Sequence, residues 1–279
     1  MYLRKNDESW ERREQDTVKL NFPPESKLVL AGTIQFASAL QLARQRLALT
    51  HPSLAVPKCR PLSPGEVLGC TAPVINPDTT DAIVFLSDGR FHLEAIMIAN
   101  PSIAAYRYDP YGRVFTRERY DHAGMRAVRR RAIEAARVAQ RWGVVMGTLG
   151  RQGNPAILTT LEAHLKERGV PYTLMLMSEV SPLRLDMFPG LDAFVQIACP
   201  RLSIDWGEGF SRPTLTPYEA LVALGVVPSW WEGQQAQGAV AAADATPAVV
   251  SKEQEAVAPY PMDYYAKEGG VWNSSYHKK

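Results

Sequence analysis

The sequence predicts an α/β protein of two similar units, each a small parallel sheet flanked by helices, followed by a flexible linker and a docking tail. Three observations support this fold class. The predicted strands are continuous apolar runs, which is the pattern of strands covered on both faces. Strands and helices alternate along the chain, and the segments joining them are short. The alternation divides near residue 120, so we expect one unit at 18–120 and the other at 121–227.

The first unit begins with LVLAGTIQF, a β-branched run that follows two prolines and predicts a buried strand. Apolar residues at helical spacing come next and predict a helix. A proline-rich stretch from Pro52 to Pro73 indicates an ordered loop rather than a helix. The predicted elements are a strand at 28–36, a helix at 37–49, a strand at 82–86, a helix at 91–99 and a strand at 104–108.

The second unit has the same alternation. Asn154 is a suitable N-cap, Pro155 suits the first helical position, and Gly169 lies just past the helix end. The predicted elements are a long helix at 122–142, a strand entering a glycine-rich turn at 143–150, a helix at 154–168, a strand at 172–177, a short helix at 182–187, a strand at 193–199 and a helix at 218–224.

The two ends of the chain differ from the two units in amino-acid composition. Residues 1–17 are charged and lack an apolar stripe, so we expect a solvated arm. Residues 228–259 are rich in Ala, Gln, Val and Pro, which is typical of a flexible linker. Residues 260–279 are aromatic again, and we expect this tail to dock onto a surface.

Composition narrows the classes of function. Hydrophobic residues make up 46% and charged residues 22% of the 279 residues, which is typical of a globular protein. The net charge of +2 argues against nucleic acid as a direct partner. No apolar run approaches a membrane span, and no leader pattern opens the sequence, so we expect a cytoplasmic protein without a membrane partner.

The three cysteines, Cys59, Cys70 and Cys199, are too few and too widely spaced for a disulfide framework. One interpretation is three buried thiols that pack as small hydrophobes. The other starts from position, because Cys199 ends an apolar strand and ligands bind beyond the carboxyl ends of strands in open α/β sheets. Cys70 lies in a loop, and the two thiols could meet at one metal.

A glycine-rich turn provides a second candidate site. The segment GTLGRQG, from Gly147 to Gly153, follows a strand and opens a helix, where backbone N–H groups can face a phosphate or a nucleoside. Its glycine spacing differs from the dinucleotide fingerprint, so a simple tight turn remains the alternative. The arginines of the long helix (Arg126, Arg129, Arg130, Arg131 and Arg137) are expected to form a solvated face.

Several long segments together resemble one family, subunit 1 of the eukaryotic 2-(3-amino-3-carboxypropyl)histidine synthases, which act first in diphthamide biosynthesis. The segments cover roughly 18–227 and 260–272. They are LNFPPESKLVLAGTIQF, LSPGEVLGCTAP, SDGRFHLEAIMIANPSIAAYRYDPY, WGVVMGTLGRQGNP, QIACPRLSIDWG, LTPYEALVALG and YPMDYY.

The resemblance implies a chemistry. In this family, cysteines from similar α/β domains hold a [4Fe–4S] cluster, and S-adenosylmethionine binds at its open iron. One-electron cleavage transfers the 3-amino-3-carboxypropyl group to a histidine of translation elongation factor 2, and methylthioadenosine leaves. The implied partners are the paralogous subunit 2 in a heterodimer, elongation factor 2, and a small iron protein as electron donor.

The resemblance also implies residues. Cys70 and Cys199 match the cluster ligands of the family's second and third domains. The cofactor's nucleoside and amino-acid parts would lie near Gly147, Thr148, Gly150, Gln152 and Asp205. The family's first domain, with its own cysteine, has no counterpart here, and Cys59 does not match that ligand. We therefore expect this chain alone to hold a cluster poorly.

Two other functions remain open at this stage. The chain could be a non-catalytic interaction fragment that keeps only the heterodimer surface. It could also be a nucleoside-binding α/β protein that uses the turn from Gly147 to Gly153 and needs neither Cys70 nor Cys199.

Overall fold

The computed structural model describes residues 17–150, 152–231 and 259–273. These residues form two compact units, and the chain passes from one to the other between Tyr120 and Asp121. The predicted arm, apart from Thr17, and most of the predicted linker, 232–258, lie outside the described residues. The α/β class predicted from the apolar runs is confirmed, since both units are sheets of largely parallel strands with helices.

The first unit contains a four-stranded sheet in the order β1-β2-β3-β4. Its elements are β1 (Leu28–Gly32), α1 (Ala37–Leu47), β2 (Ala82–Leu86), α2 (Phe91–Ala99), β3 (Ala104–Asp109) and β4 (Val114–Glu118). The first three strands are parallel, and β4 runs antiparallel to β3 at the edge. All five residues of β1 and of β2 are buried, which explains their unbroken apolar sequence.

Two details of the first unit differ from the sequence prediction. The strand expected at 28–36 stops at Gly32, because a 3-10 turn at Ile34–Phe36 redirects the chain into α1. The edge strand β4 was not predicted. A tight turn at Arg113, whose φ is +54°, folds β4 back along β3, and the three polar residues that end its sequence VFTRE hide its strand character.

The second unit contains a four-stranded parallel sheet in the order β6-β5-β7-β8. Its elements are α3 (His122–Arg137), β5 (Trp142–Gly147), α4 (Pro155–Glu167), β6 (Tyr172–Met177), α5 (Pro182–Asp186), β7 (Ala193–Ile197), α6 (Arg201–Trp206), β8 (Thr214–Leu215) and α7 (Pro217–Ala223). As predicted, Asn154 caps α4, where its side chain accepts a hydrogen bond from the amide of Ala156.

The long helix α3 differs from the prediction in two ways. It is shorter than predicted, and one of its arginines is buried instead of exposed to solvent. It ends at Arg137, and Trp142, expected in the helix, begins β5 instead because its amide pairs with the carbonyl of Pro171. Arg129, expected among the solvated arginines, is fully buried. The solvated-face prediction is therefore wrong for Arg129, which forms an ion pair with Glu219 inside the unit.

The part of the aromatic tail that the structure describes, 260–273, lies against α7 of the second unit, and 274–279 lie outside the described residues. Tyr260, Met262 and Tyr264 are buried, and the ring of Tyr260 contacts that of Tyr218 with centroids 5.8 Å apart. The ring of Trp272 lies 4.7 Å from that of Tyr218. Aromatic packing therefore attaches the tail to the unit. No helix in the described ranges is long and apolar enough to cross a membrane.

Candidate functional site

Cys70 lies at the tip of a tight turn beside the carboxyl end of β1. Val67, three residues earlier, donates its amide to the carbonyl of Gly32, the last residue of β1. Leu68 and Thr71 then exchange backbone hydrogen bonds across the turn. The thiol is half-buried, with the hydroxyl of Thr71 3.9 Å from Sγ. The turn thus holds a sulfur at the edge of the sheet where ligands of α/β proteins bind.

Gly69 explains why this turn is shaped as it is. A Cβ at this position would lie 2.1 Å from Cε1 of Phe91, so the ring of Phe91 occupies the space that a side chain would need. Phe91 begins α2, just beyond the carboxyl end of β2. The start of α2 therefore supports the residue preceding Cys70, a contact that sequence analysis did not identify.

Cys199 occupies the corresponding place in the second unit. The predicted strand at 193–199 ends at Ile197, so Cys199 lies in the loop between β7 and α6. Burial raises the pKa of the Cys199 thiol above 9.0, while the backbone N–H and positive charge of Arg201 act in the opposite direction. The sulfur is therefore a neutral thiol at neutral pH in the metal-free chain, and a metal would have to displace its proton.

Gln196 of β7 holds the Cys199 loop by hydrogen bonds. It is fully buried in β7, and its Nε2 donates to the carbonyl of Cys199 at 3.0 Å and to Oγ of Ser203 at 3.1 Å. Sequence analysis missed this residue. The available signal was a single amide side chain inside the otherwise apolar strand AFVQI, since a buried polar group needs a specific partner.

The glycine-rich turn lies next to the Cys199 loop. Gly147 ends β5 and contacts Ala198, the residue before Cys199. Thr148 donates its amide to the carbonyl of Met177, and Gly150 has a φ of +65°, where a side chain would be strained. Thr148, Gly150 and Gln152 are exposed, so their groups are accessible to a ligand.

Asp205 lies at the end of α6 and is paired with Arg201. Nε of Arg201 donates to Oδ1 of Asp205 at 2.7 Å, and the Arg201 side chain is buried while that of Asp205 is 24% exposed. The pair therefore places a carboxylate and a guanidinium on the short helix that follows Cys199. Arg201 was not among the predicted residues, although it comes two positions after the cysteine.

The second unit thus gathers the predicted residues of the glycine turn, Cys199 and Asp205 around the carboxyl ends of β5 and β7, and the first unit holds Cys70. Among the described residues, no group of three or more His, Cys, Asp or Glu side chains is arranged to hold a metal ion. Cys59 is half-buried in the proline-rich loop, and its carbonyl accepts the amide of Leu62.

The thiols of Cys70 and Cys199 could each provide one ligand to an iron–sulfur cluster. Iron–sulfur clusters are held by thiolates whose sulfurs accept hydrogen bonds from the protein. The backbone N–H groups of Arg201 and Leu202 act to lower the pKa of the Cys199 thiol, against the effect of burial, and so favour the thiolate that a cluster needs. In the described residues, Cys70 lies beside the carboxyl end of β1 and Cys199 beyond the carboxyl end of β7, and both are half-buried.

Comparison with known proteins shows the family of the chain. A family model described as "Putative diphthamide synthesis protein" matches residues 9–236. The chain is 49% identical over 262 residues to the 2-(3-amino-3-carboxypropyl)histidine synthase subunit 1 of Mus musculus, covering 94% of this chain and 53% of the relative. The Gallus gallus protein of the same name is 51% identical over 262 residues, covering 94% and 57%. The chain spans about half the length of these curated relatives.

A solved structure is similar as well. The crystal structure of Dph2 from Pyrococcus horikoshii with a 4Fe-4S cluster matches with a TM-score of 0.63 and 25% sequence identity. The match covers 79% of this chain and 63% of the archaeal one. A second crystal structure of the same archaeal protein matches with a TM-score of 0.64.

Proposed function

The chain belongs to the diphthamide synthesis protein family, and from this premise we propose that it takes part in the first step of diphthamide biosynthesis. The proposed reaction transfers the 3-amino-3-carboxypropyl group of S-adenosylmethionine to a histidine of translation elongation factor 2. The observation that carries the proposal is the placement of one half-buried cysteine beside the carboxyl ends of the strands in each sheet. Both cysteines lie in the region that is 49% identical in sequence to a synthase subunit.

Cys70 and Cys199 are the proposed ligands of a [4Fe–4S] cluster. When bound, such a cluster supplies the single electron that a radical cleavage of S-adenosylmethionine requires. The residues of this chain would hold it by two thiolates and by the backbone N–H groups that face the Cys199 sulfur. The short turn at Cys70 and the loop at Cys199 are both fixed by backbone hydrogen bonds, so the two sulfurs are held in defined places.

S-adenosylmethionine would bind in the second unit, beside Cys199. The exposed turn with Thr148, Gly150 and Gln152 offers backbone and side-chain donors to the nucleoside. On α6, the buried Arg201 holds the carboxylate of Asp205 in an ion pair, and Asp205 is 24% exposed. Its carboxylate would bind the ammonium of the aminocarboxypropyl group. In this arrangement the chain orients the co-substrate, and methylthioadenosine leaves from the same turn.

The proposed partners follow from the same family. They are the paralogous subunit 2 in a heterodimer, elongation factor 2 as protein substrate, and a small iron protein that delivers the electron. The proposed location is the cytoplasm, where elongation factor 2 acts. No direct contact with nucleic acid is part of the proposal.

The test is a reconstituted transfer reaction. The full chain would be combined anaerobically with the paralogous subunit, iron and sulfide, a reductant, S-adenosylmethionine and elongation factor 2. We expect methylthioadenosine release and a modified histidine detected by mass spectrometry, both lost with Cys199→Ala and retained with the matched variant Cys59→Ala. Absence of product with the parent chain would contradict the proposal, and the chain would then be explained as a non-catalytic interaction fragment.

A binding measurement separates the nucleoside-binding alternative. If the chain binds methylthioadenosine with the same affinity before and after Cys70→Ala and Cys199→Ala, and no product forms, the glycine turn is a nucleoside site unrelated to iron. The transferase proposal instead expects S-adenosylmethionine to perturb the EPR signal of the reduced, iron-loaded chain.

A further inference from the structure

A buried chain of hydrogen bonds joins the C-terminal tail to the loop of Cys199. We propose that this chain positions the cysteine, with Gln196 and Arg129 as positioning residues and Tyr260 of the tail as the residue that completes the chain. The inference rests on the proposed function only in treating Cys199 as a metal ligand. The positioning itself is a property of the second unit, and it can be measured without metal.

The first step of the chain is Gln196. Its side-chain amide binds two points of the loop at once, the carbonyl of Cys199 and the hydroxyl of Ser203. Gln196 and Ser203 are fully buried. Because both acceptors are on the segment that carries the sulfur, rotation of that segment breaks one part-buried and one buried hydrogen bond, which are costly to leave unmade.

The second step is Arg129. From α3, its Nη1 donates to the carbonyl of Ser203 at 2.8 Å, and its Nη2 donates to the carbonyl of Thr214 at 2.9 Å. The guanidinium also leaves no room at Gly207, just past α6, where a Cβ would lie 2.2 Å from Nη1. Arg129 and Gln196 therefore both bind Ser203 in α6, Arg129 through its carbonyl and Gln196 through its hydroxyl.

The third step reaches the tail. Glu219 on α7 accepts Nε of Arg129 on Oε1 and Nη2 on Oε2, each at 2.7 Å. Tyr260 donates its hydroxyl to the same Oε1 at 2.8 Å. Glu219 also accepts the amide of Thr216 in a capping box. All four side chains are buried, so the tail supplies a donor that the interior carboxylate uses.

The composition of the network argues for positioning rather than for stability alone. A buried ion pair contributes little net stability compared with apolar residues of the same volume, because desolvation of both charges opposes their attraction. A buried hydrogen-bond network instead selects one arrangement of the segments that it joins. Here those segments are α3, α7, the tail and the loop of Cys199. In the described residues Oε1 of Gln196 has no hydrogen-bond partner, so Gln196 acts through the two bonds of its Nε2.

The test measures how readily Cys199 is alkylated in the full, metal-free chain under native conditions, with Cys70 of the first unit as an internal reference. Cys199 is half-buried, so its alkylation reports local opening of its loop. The variants are Gln196→Met, which keeps the shape and removes the donor, and Tyr260→Phe, which removes one hydroxyl. The controls are Tyr218→Phe in the same aromatic group and Leu161→Ala, a core truncation on α4.

We expect the Cys199 rate, relative to Cys70, to rise about tenfold in Gln196→Met and about threefold in Tyr260→Phe, as the loss of two and of one hydrogen bonds predicts. The two controls should leave the ratio unchanged even where they lower the melting temperature. Amide exchange within α6 should accelerate in the same two variants. A ratio that follows the melting temperature across all four variants, or that does not change in Gln196→Met, would overturn the inference.

A second readout uses the chain loaded with iron and sulfide. The EPR line shape of the reduced chain should shift in Tyr260→Phe and stay unchanged in Tyr218→Phe, which a purely structural role of the tail does not predict. If the transfer reaction with the paralogous subunit gives no product but the alkylation ratios change as expected, the positioning stands and the proposed function fails. If product forms and the ratios do not change, the positioning fails and the proposed function stands.

Discussion

Gly147 and Ala198 approach so closely that a Cβ on Gly147 would lie 2.8 Å from Cβ of Ala198. Gly147 ends β5, and Ala198 precedes Cys199. This contact joins the two parts of the second-unit site that the sequence suggested separately, the glycine-rich turn and the cysteine loop. The absence of a side chain at Gly147 is therefore a requirement of the Cys199 loop and not only of the turn.

The first prediction concerns this contact. Gly147→Ala should displace the Cys199 loop and lower the free energy of unfolding by about 1–3 kcal/mol, the usual cost of overpacking. Gly89→Ala is the matched control, because a Cβ there meets no atom within 4 Å. Denaturant unfolding and alkylation of Cys199 would measure both effects, and equal behaviour of the two variants would contradict the requirement.

A second prediction concerns the turn of Cys70. Gly69→Ala should disturb this turn, because its Cβ would overlap the ring of Phe91. Phe91 is 44% exposed, so its truncation to alanine costs little buried surface. We therefore expect Gly69→Ala to impair iron uptake and the double variant with Phe91→Ala to restore most of it. Failure of the double variant to restore uptake would show that the ring is not the cause.

Removal of one partner of the buried ion pair should be strongly destabilising. Arg129→Met leaves the carboxylate of Glu219 uncompensated in the interior, and we expect a loss of about 3–5 kcal/mol in the free energy of unfolding. Replacing both partners, Arg129→Met with Glu219→Leu, should recover a large part of this loss. Urea denaturation of the single and double variants measures both values, and strictly additive losses would contradict the pairing.

Stability should depend on pH through His122. Burial and the positive charge of Arg126 lower the pKa of His122 from 6.5 to about 4, although Asp121 opposes the shift. Between these two values the unfolded chain binds a proton that the folded chain does not, so stability falls as the pH drops from 6.5 towards 4. Above pH 6.5 the imidazole is neutral in both states, and it adds no pH dependence there.

His122→Gln tests this account. Thermal unfolding of the parent chain and the variant would be compared at pH 7.5 and at pH 5, values on either side of the upper limit of the window. We expect the difference in melting temperature between the two pH values to be smaller in the variant. A difference of the same size in both proteins would assign the acid sensitivity to other groups.

The parts of the fold that depend on local pattern could be predicted from the sequence. The buried strand β2, the largely exposed strand β6 and the helix α2 have the predicted bounds, because their apolar runs end at clear turn residues. The edge strand β4 could not be predicted, since its sequence VFTRE has only two apolar residues before its polar ones. Polar residues of this kind are tolerated in an edge strand but are equally common in loops. The short helix α6 has only six residues, too few to show a periodic pattern.

The site shows the same division. Cys70, Cys199 and the glycine turn could be proposed because strand ends and glycine spacing are visible in the sequence. Gln196 and Arg129 could not, because their role depends on contacts between segments far apart in the chain, such as Arg129 with Glu219. An arginine in a basic helix resembles a solvated residue until the carboxylate that faces it is known.

The most direct test of the central claim is iron binding by the full chain and its cysteine variants. The purified chain would be reconstituted anaerobically with iron and sulfide, desalted, and measured for bound iron and for the EPR signal after reduction. Cys70→Ala and Cys199→Ala are the test variants, and Cys59→Ala is the control. The parent chain should retain less iron than a full [4Fe–4S] cluster contains, because two thiolates leave two of the cluster's ligand positions to other ligands.

The account predicts that the signal disappears in Cys70→Ala and in Cys199→Ala and persists in Cys59→Ala. A signal that survives in both test variants, or that depends on Cys59, would contradict the claim that Cys70 and Cys199 bind the cluster.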